Sequence, residues 1–253
     1  MHTWMRAEPI EAAISRIGPL GYKALEISGE PERHDVDEVR ALLSKHGIRC
    51  FGSVTLMLGE RNLLAASEGA RTRSIAYVND CITMVKELGG EEISIVPGTV
   101  GKVTPDSTPE NEWQWAVDSL KEIYEHGMAS GVRLGIEPIN RFETYFINRG
   151  DQAIALAEAV GPECGVCLDI FHMNIEEANI ADALRTYGKH IGHVHFVDSN
   201  RRPAGCGHMD YTAIASALKE ISYDKYASAE AFPWPDSDSA ARATIDAFNQ
   251  YLA

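Results

Sequence analysis

A regular alternation of short apolar runs with longer amphipathic stretches constrains this chain more than any other feature. Runs rich in Val, Ile, Tyr and Phe lie at Tyr22–Ser28, Ile48–Val54, Glu92–Pro97, Val132–Ile139, Gly165–Ile170, Ile191–Val197 and Tyr226–Phe232. Between them, apolar residues recur three and four apart over Ala7–Ile17, Val36–His46, Arg71–Leu88, Glu112–Ser130, Asp151–Val160, Asn179–Tyr187, Tyr211–Ile221 and Asp238–Tyr251. The first set reads as strands and the second as helices. Asp35 and Asp210 stand where the second and seventh helices need an N-cap. The strands are almost uninterrupted apolar runs, as a parallel sheet covered by helices requires.

A helix leads this series, and the partner missing from a repeating β-α chain is a first strand. Met1–Trp4 would be its last residues. The expected architecture is therefore α/β, a single (β/α)8 TIM barrel with a shortened first strand, occupying residues 1–253 as one domain. About 250 residues is the usual size of such a barrel. No linker or low-complexity tract divides the chain, and no Gly-rich fingerprint of an open dinucleotide-binding sheet follows an early strand. A closed barrel needs its eighth strand, since an open edge leaves backbone N–H and C=O groups unpaired. Met1–Trp4 should pair despite its shortness, whether a few residues precede it or the strand end frays, and Trp4 should stand near the mouth. The first helix should begin near Ala7, with Glu8-Pro9 in its first turn, where proline costs little.

Charge narrows the partners. Lys and Arg number 23 against 37 Asp and Glu, for a net −14. Phosphate backbones are held by clustered cations, so neither nucleic acid nor an anionic membrane is expected. No run approaches the ~18 apolar residues of a spanning helix. The opening residues lack the pattern of a secretory leader. Five cysteines is an odd, low count, which reads as reduced thiols and a cytoplasmic location. Cys164 and Cys167 form a C-x-x-C, but within a strand they point to opposite faces and there is no second pair, so neither zinc nor redox chemistry is assigned.

In such barrels the active site is built at the carboxyl ends of the strands. Reading those ends gives Glu137, Asp169, His195 and Glu230, separated by 32, 26 and 35 residues, each about one β-α unit. Four polar groups thus fall at equivalent positions on four consecutive strands. Isolated carboxylates in apolar strands carry a large desolvation cost, and three that converge repel one another. A shared cation resolves both problems. Three oxygen ligands and one imidazole suit Mn²⁺, Co²⁺ or Mg²⁺ better than a sulfur-loving ion. Glu143, His172 and Arg201 fall in the loops that follow, where a substrate would sit. His193 is expected to be a packed core histidine. His208 either lines the mouth or caps the next helix, and Gly205-x-Gly207 is weak evidence for a phosphate site. Trp4 and Trp234 could wall the pocket or simply pack, while Trp113 and Trp115, at a helix start, should pack on the outside.

Three segments carry a resemblance: Glu137-Pro-Ile-Asn-Arg-Phe-Glu143, Asp169-Ile-Phe-His-Met-Asn-Ile-Glu-Glu177 and His193-Val-His-Phe-Val-Asp-Ser-Asn-Arg201. With them the chain, from Ala7 onward, resembles the xylose-isomerase-like barrels and, among these, the ketose 3-epimerases of the tagatose/psicose (allulose) type. The resemblance implies that Glu137, Asp169, His195 and Glu230 bind one Mn²⁺-like ion, with Glu137 and Glu230 also exchanging protons with substrate. It implies that Glu143, His172 and Arg201 hold the sugar's hydroxyls and carbonyl. The reaction expected is inversion of a ketose at C3 through a cis-enediolate, with no organic cofactor. A small keto sugar and further copies of this chain are the expected partners.

The loops Ser53–Arg61 and Pro97–Pro109 do not repeat the pattern expected of an epimerase for free ketoses. The same motifs also fit a lyase that resembles the larger subunit of C-glycoside deglycosidases. There, enolisation of a 3-keto glycoside leads to elimination, and a small all-β subunit is needed. Hydroxypyruvate isomerases fit less well, since a glutamine would be expected where His195 stands. Endonuclease IV-type repair barrels need a three-metal cluster with further histidines on early strands, which this sequence does not offer.

Overall fold

The computed structural model of the chain describes residues 8–253. Seven strands, β1 (Ala24–Ser28), β2 (Arg49–Val54), β3 (Glu92–Ile95), β4 (Arg133–Ile136), β5 (Gly165–Asp169), β6 (Ile191–His195) and β7 (Ala227–Ser228), lie side by side in chain order. Every neighbouring pair is parallel. Helices α1 (Ile10–Ile17), α2 (Val36–His46), α3 (Glu68–Glu87), α4 (Pro109–Ser130) and α5 (Gly150–Val160) lead up to β5. After it come α6 (Ile170–Glu176), α7 (Ile180–Tyr187), α8 (Tyr211–Glu220) and α9 (Ser237–Tyr251). The sheet curls until the side chains of its two outer described strands meet: Ser228 of β7 donates to Glu26 of β1 at 2.6 Å. This is a nearly closed TIM barrel. The expected strand Met1–Trp4, and with it Trp4, lies outside the described residues.

Local chemistry explains most boundaries. Asp35 caps α2 by accepting from the Asp37 and Glu38 amides, and Asp210 caps α8 through Ala213 N, both as the sequence indicates. Helix α1 starts at Ile10 and not near Ala7, with Pro9 as the cap, where a missing N–H leaves nothing unpaired. The last strand is far shorter than Tyr226–Phe232, because only Ala227 and Ser228 pair with β6. Beyond them the Phe232 amide turns to the Arg201 carbonyl at 2.6 Å, and Pro233 and Pro235 have no N–H to donate. Helix α6 was not expected. It begins directly on β5, with Asp169 as both last strand residue and N-cap.

Strand alternation sorts the side chains into two layers. Ile93, Ile95, Leu134, Ile136, Val166, Leu168 and Val194 point outward into a shell of buried helix residues such as Val78, Ile82, Leu120, Ile123, Leu156 and Leu184. Full burial of each such side chain contributes about 1.5–3 kcal/mol. The opposite face of the same strands carries Glu92, Ser94, Glu137, Cys167, Asp169, His193 and His195, all buried. The barrel interior is therefore polar, and its upper layer is where the chemistry gathers.

Candidate active site and metal centre

Residue register brings the four strand-end groups together. Asp169 pairs with His195 and His195 with Ser228 across β5, β6 and β7, while Glu137 follows β4 with its amide bonded to Ile95 O. The ligand-type atoms of Glu137, Asp169, His195 and Glu230 all lie within 4.8 Å of one another. His195 is fully buried, and its Nδ1 faces Glu137 Oε1 at 3.2 Å, Asp169 Oδ2 at 3.4 Å and Glu230 Oε2 at 3.4 Å. Yet this nitrogen makes no hydrogen bond. Three carboxylate oxygens converging on an unbonded imidazole nitrogen is an arrangement a cation would complete. The donor set fits a hard or borderline divalent ion.

The carboxylates differ in electrostatics. Burial pushes the Glu137 carboxyl above its usual range, with His195 opposing only in part. Burial also acts on Glu230, but Arg201 and His195 outweigh it and hold that carboxylate below its usual range. Asp169 likewise sits well below, because Arg201 and His172 overcome burial. Arg201 bonds both at once, one guanidinium nitrogen to Asp169 Oδ2 and the other to Glu230 Oε2 at 2.7 Å. Its ring neighbour is Phe171, with the guanidinium carbon 4.8 Å from the ring centroid.

The loop residues converge on the same place. Asn140, which sequence reasoning passed over, ties two of them together. Its amide nitrogen donates to Glu143 Oε1 at 2.8 Å and lies 2.8 Å from His172 Nδ1, and its backbone N–H donates to the same ring nitrogen. His172 Nδ1 is thus an acceptor, and in the neutral ring the proton sits on Nε2, 3.9 Å from Asp169 Oδ2. Burial pushes the His172 pKa down to about 4, so the ring is neutral near pH 7.

Arg201 sits at φ 61°, a left-handed backbone that non-glycine residues rarely adopt. Asp198, fully buried, holds that turn. Its carboxylate accepts from Ser199 N, Gly205 N and Met209 N, and its carbonyl accepts from Arg201 N. A Cβ on Gly207 would come 2.1 Å from Asp198 Oδ1. Gly205-x-Gly207 therefore serves the packing of the Arg201 loop. Gly207→Ala is expected to destabilise the protein by about 1–3 kcal/mol, as overpacking does. Unchanged thermal unfolding would refute this.

His208 is exposed and bonds Ser199 Oγ at 2.7 Å, so it does not cap α8. His193 is fully buried, packed against Phe51, and also faces the barrel interior, where its Nε2 lies 2.8 Å from Ser228 Oγ. Trp234 is 46% exposed, with the Arg202 guanidinium 4.0 Å above its ring. Trp113 packs near Phe146 and Trp115 under Arg71, outside the barrel. Cys164 and Cys167 are buried free thiols.

Barrel and mouth together define a class: a TIM barrel whose strand ends carry a carboxylate–histidine centre of metal-binding type, overhung by a buried arginine. The chain belongs to the xylose isomerase-like TIM-barrel family, which it matches over residues 14–251. It is 30% identical to the D-psicose 3-epimerase of Ruminiclostridium cellulolyticum over 226 residues, covering 83% of this chain and 74% of that protein. It is 27% identical to the 3-dehydro-D-guloside 4-epimerase of Escherichia coli over 220 residues, covering 83% and 82%. The crystal structure of a D-psicose 3-epimerase with D-tagatose, from Clostridium cellulolyticum, superposes with a TM-score of 0.89 at 26% identity, covering 98% of this chain and 95% of that one.

Proposed function

We propose that this chain, as one domain over residues 1–253, is a metal-dependent sugar epimerase that inverts a ketose at C3. The observation that carries this reading is the unbonded His195 Nδ1 facing three carboxylate oxygens at the barrel mouth. Glu137, Asp169, His195 and Glu230 would hold a divalent cation, Mn²⁺ by preference with Co²⁺ or Mg²⁺ as substitutes. When bound, such a cation polarises the substrate carbonyl and makes the neighbouring C–H more acidic.

The remaining work belongs to side chains. Glu137 follows β4 and Glu230 follows β7, three strands apart around the barrel. One removes the C3 proton and the other returns a proton to the opposite face of the planar enediolate. In the ion-free chain their surroundings differ, since Arg201 and His195 favour the ionised form of Glu230 while burial opposes that of Glu137. The Arg201 guanidinium, fixed among carboxylates, stands ready for the oxygen on which negative charge develops. Neutral His172 offers its Nε2–H to a sugar hydroxyl, and Glu143, fixed by Asn140, accepts from another. Neither needs to reorganise, because Asn140 holds both.

A second reading keeps the enolisation and changes the substrate to a 3-keto glycoside, by epimerisation or by elimination with a small all-β partner subunit. It draws on the guloside 4-epimerase relative and on Phe142, 74% exposed beside Glu143 in the loop after β4, which offers an apolar surface to a second group. Incubating the Mn²⁺-loaded protein with ketohexoses in D₂O separates the two. Deuterium at C3 together with the C3 epimer is the expected result. Inertness toward every free ketose, with epimer or aglycone formed from a 3-keto glycoside, would replace the first reading by the second.

A further inference from the structure

Glu26 takes no part in the ligand set just described, yet its carboxylate lies behind it. The residue sits in β1, where the pairing with β2 shifts register between Leu25 and Glu26 and sets Glu26 opposite Gly52. Leu25 and Ile27 on either side pack outward against α1 and α2, so strand alternation turns the glutamate into the barrel. Its Oε2 lies 3.1 Å from His195 Nε2, 2.6 Å from Ser228 Oγ and 3.5 Å from His193 Nε2, and Ser94 Oγ stands 3.4 Å from Oε1.

A carboxylate can only accept, so the atom of His195 that faces it must donate. The proton therefore belongs on Nε2. The other neighbour of that nitrogen, Cys167 Sγ, is farther away at 3.7 Å, and burial keeps its thiol protonated and uncharged. Nδ1 points at the oxygens of Glu137, Asp169 and Glu230, so only a cation, whether a proton or a metal ion, fits between it and them. With the Nε2–H held by Glu26, Nδ1 is the nitrogen that offers its lone pair when a divalent ion takes that place. Were Nε2 left without its acceptor, the ring could keep its proton on Nδ1, donate to those carboxylates and compete with the ion.

We propose that Glu26 is a positioning residue of the metal centre: by accepting the Nε2–H of His195 it fixes the ring in the tautomer whose Nδ1 can bind a divalent cation. This rests on the metal-centre reading above. A carboxylate behind a ligating histidine also makes the ring a stronger donor, and losing such partners typically costs roughly 10–100-fold in metal affinity. If Glu26 only tied β1 to β6 and β7, its loss would lower stability without touching the affinity of the folded protein.

The test is Glu26→Leu, which removes the acceptor that a glutamine oxygen could still supply, with the Mn²⁺ dissociation constant measured by competition with a fluorescent chelator, well below the unfolding midpoint. Roughly 10–100-fold weaker binding is expected, with Glu26→Gln, which keeps an acceptor, falling between Glu26→Leu and the parent. Parent-like affinity in Glu26→Leu would overturn the proposal while leaving the metal centre intact. A parent chain that binds no divalent cation would overturn the metal-centre reading as well. Should Glu26→Leu not fold, histidine-ring ¹⁵N spectra of the unaltered, Mg²⁺-loaded protein decide. A slowly exchanging proton on His195 Nε2 is expected, and an Nε2 without a proton would refute the assignment.

Discussion

Glu230→Gln should lower ketose epimerisation by about 10³-fold at saturating Mn²⁺, within the 10²–10⁴ range that general acid–base catalysis contributes. The amide keeps the shape of the side chain but cannot accept a proton, and Arg201 would lose one of its two carboxylate partners. Glu137→Gln should fall by a similar factor. The isotope pattern is the sharper reading. With two bases on two faces, each variant should lose epimerisation yet still exchange the C3 proton of the one epimer that its remaining glutamate can reach. Metal content must be matched, since both residues are proposed ligands. If both variants epimerise within tenfold of the parent, the two-base assignment is wrong.

The largest effect on stability is expected at Arg201. It is 6% exposed and bonds Asp169 and Glu230 at once. Removing one partner of a buried ion pair leaves an uncompensated charge and costs about 3–5 kcal/mol. For a domain of this size each kcal/mol moves the midpoint by about 2–4 °C. Arg201→Ala should therefore melt roughly 6–20 °C below the parent in EDTA. Adding Mn²⁺ should recover part of that loss, because an ion that binds only the folded state at about 1,000 times its dissociation constant contributes about 4 kcal/mol. Arg201→Lys restores the charge without the two-pronged reach and should fall between. A metal-free Arg201→Ala that melts with the parent would show that Asp169 and Glu230 need no counter-charge.

The barrel and its four strand-end groups were legible for one physical reason. A β-α repeat places chemistry at a fixed phase, so Glu137, Asp169, His195 and Glu230 announce themselves by recurring once per unit. What escaped depends on irregularity or on distance. Glu26 reads as one polar residue in Ala24–Ser28, and although alternation with Leu25 and Ile27 turns it inward, its partners His195 and Ser228 lie 169 and 202 residues away. Applying the search for inward polar residues to the first strands as well as the last would have raised it. Asn140 lies within Glu137-Pro-Ile-Asn-Arg-Phe-Glu143, but its service to both Glu143 and His172 needs the loop to meet a side chain 32 residues on in sequence. Asp198 gathers its donors from Ser199 to Met209, which no local pattern signals. Helix α6 is only seven residues long and starts on a strand residue, so neither periodicity nor a preceding loop marks it.

That junction has a consequence for anyone redesigning the barrel. Asp169 spends one oxygen on the Phe171 amide, as the cap of α6, and turns the other toward His195 and Arg201. The two nearest replacements each forfeit one task. Asparagine keeps the cap and surrenders the charge. Glutamate keeps the charge but, one methylene longer, carries its oxygens past the amide it must cap. A path of small substitutions through this position is closed on both sides, so new chemistry on this scaffold has to arrive through the loops after β2 and β3, which hold none of the four strand-end groups and none of the residues that fix Arg201.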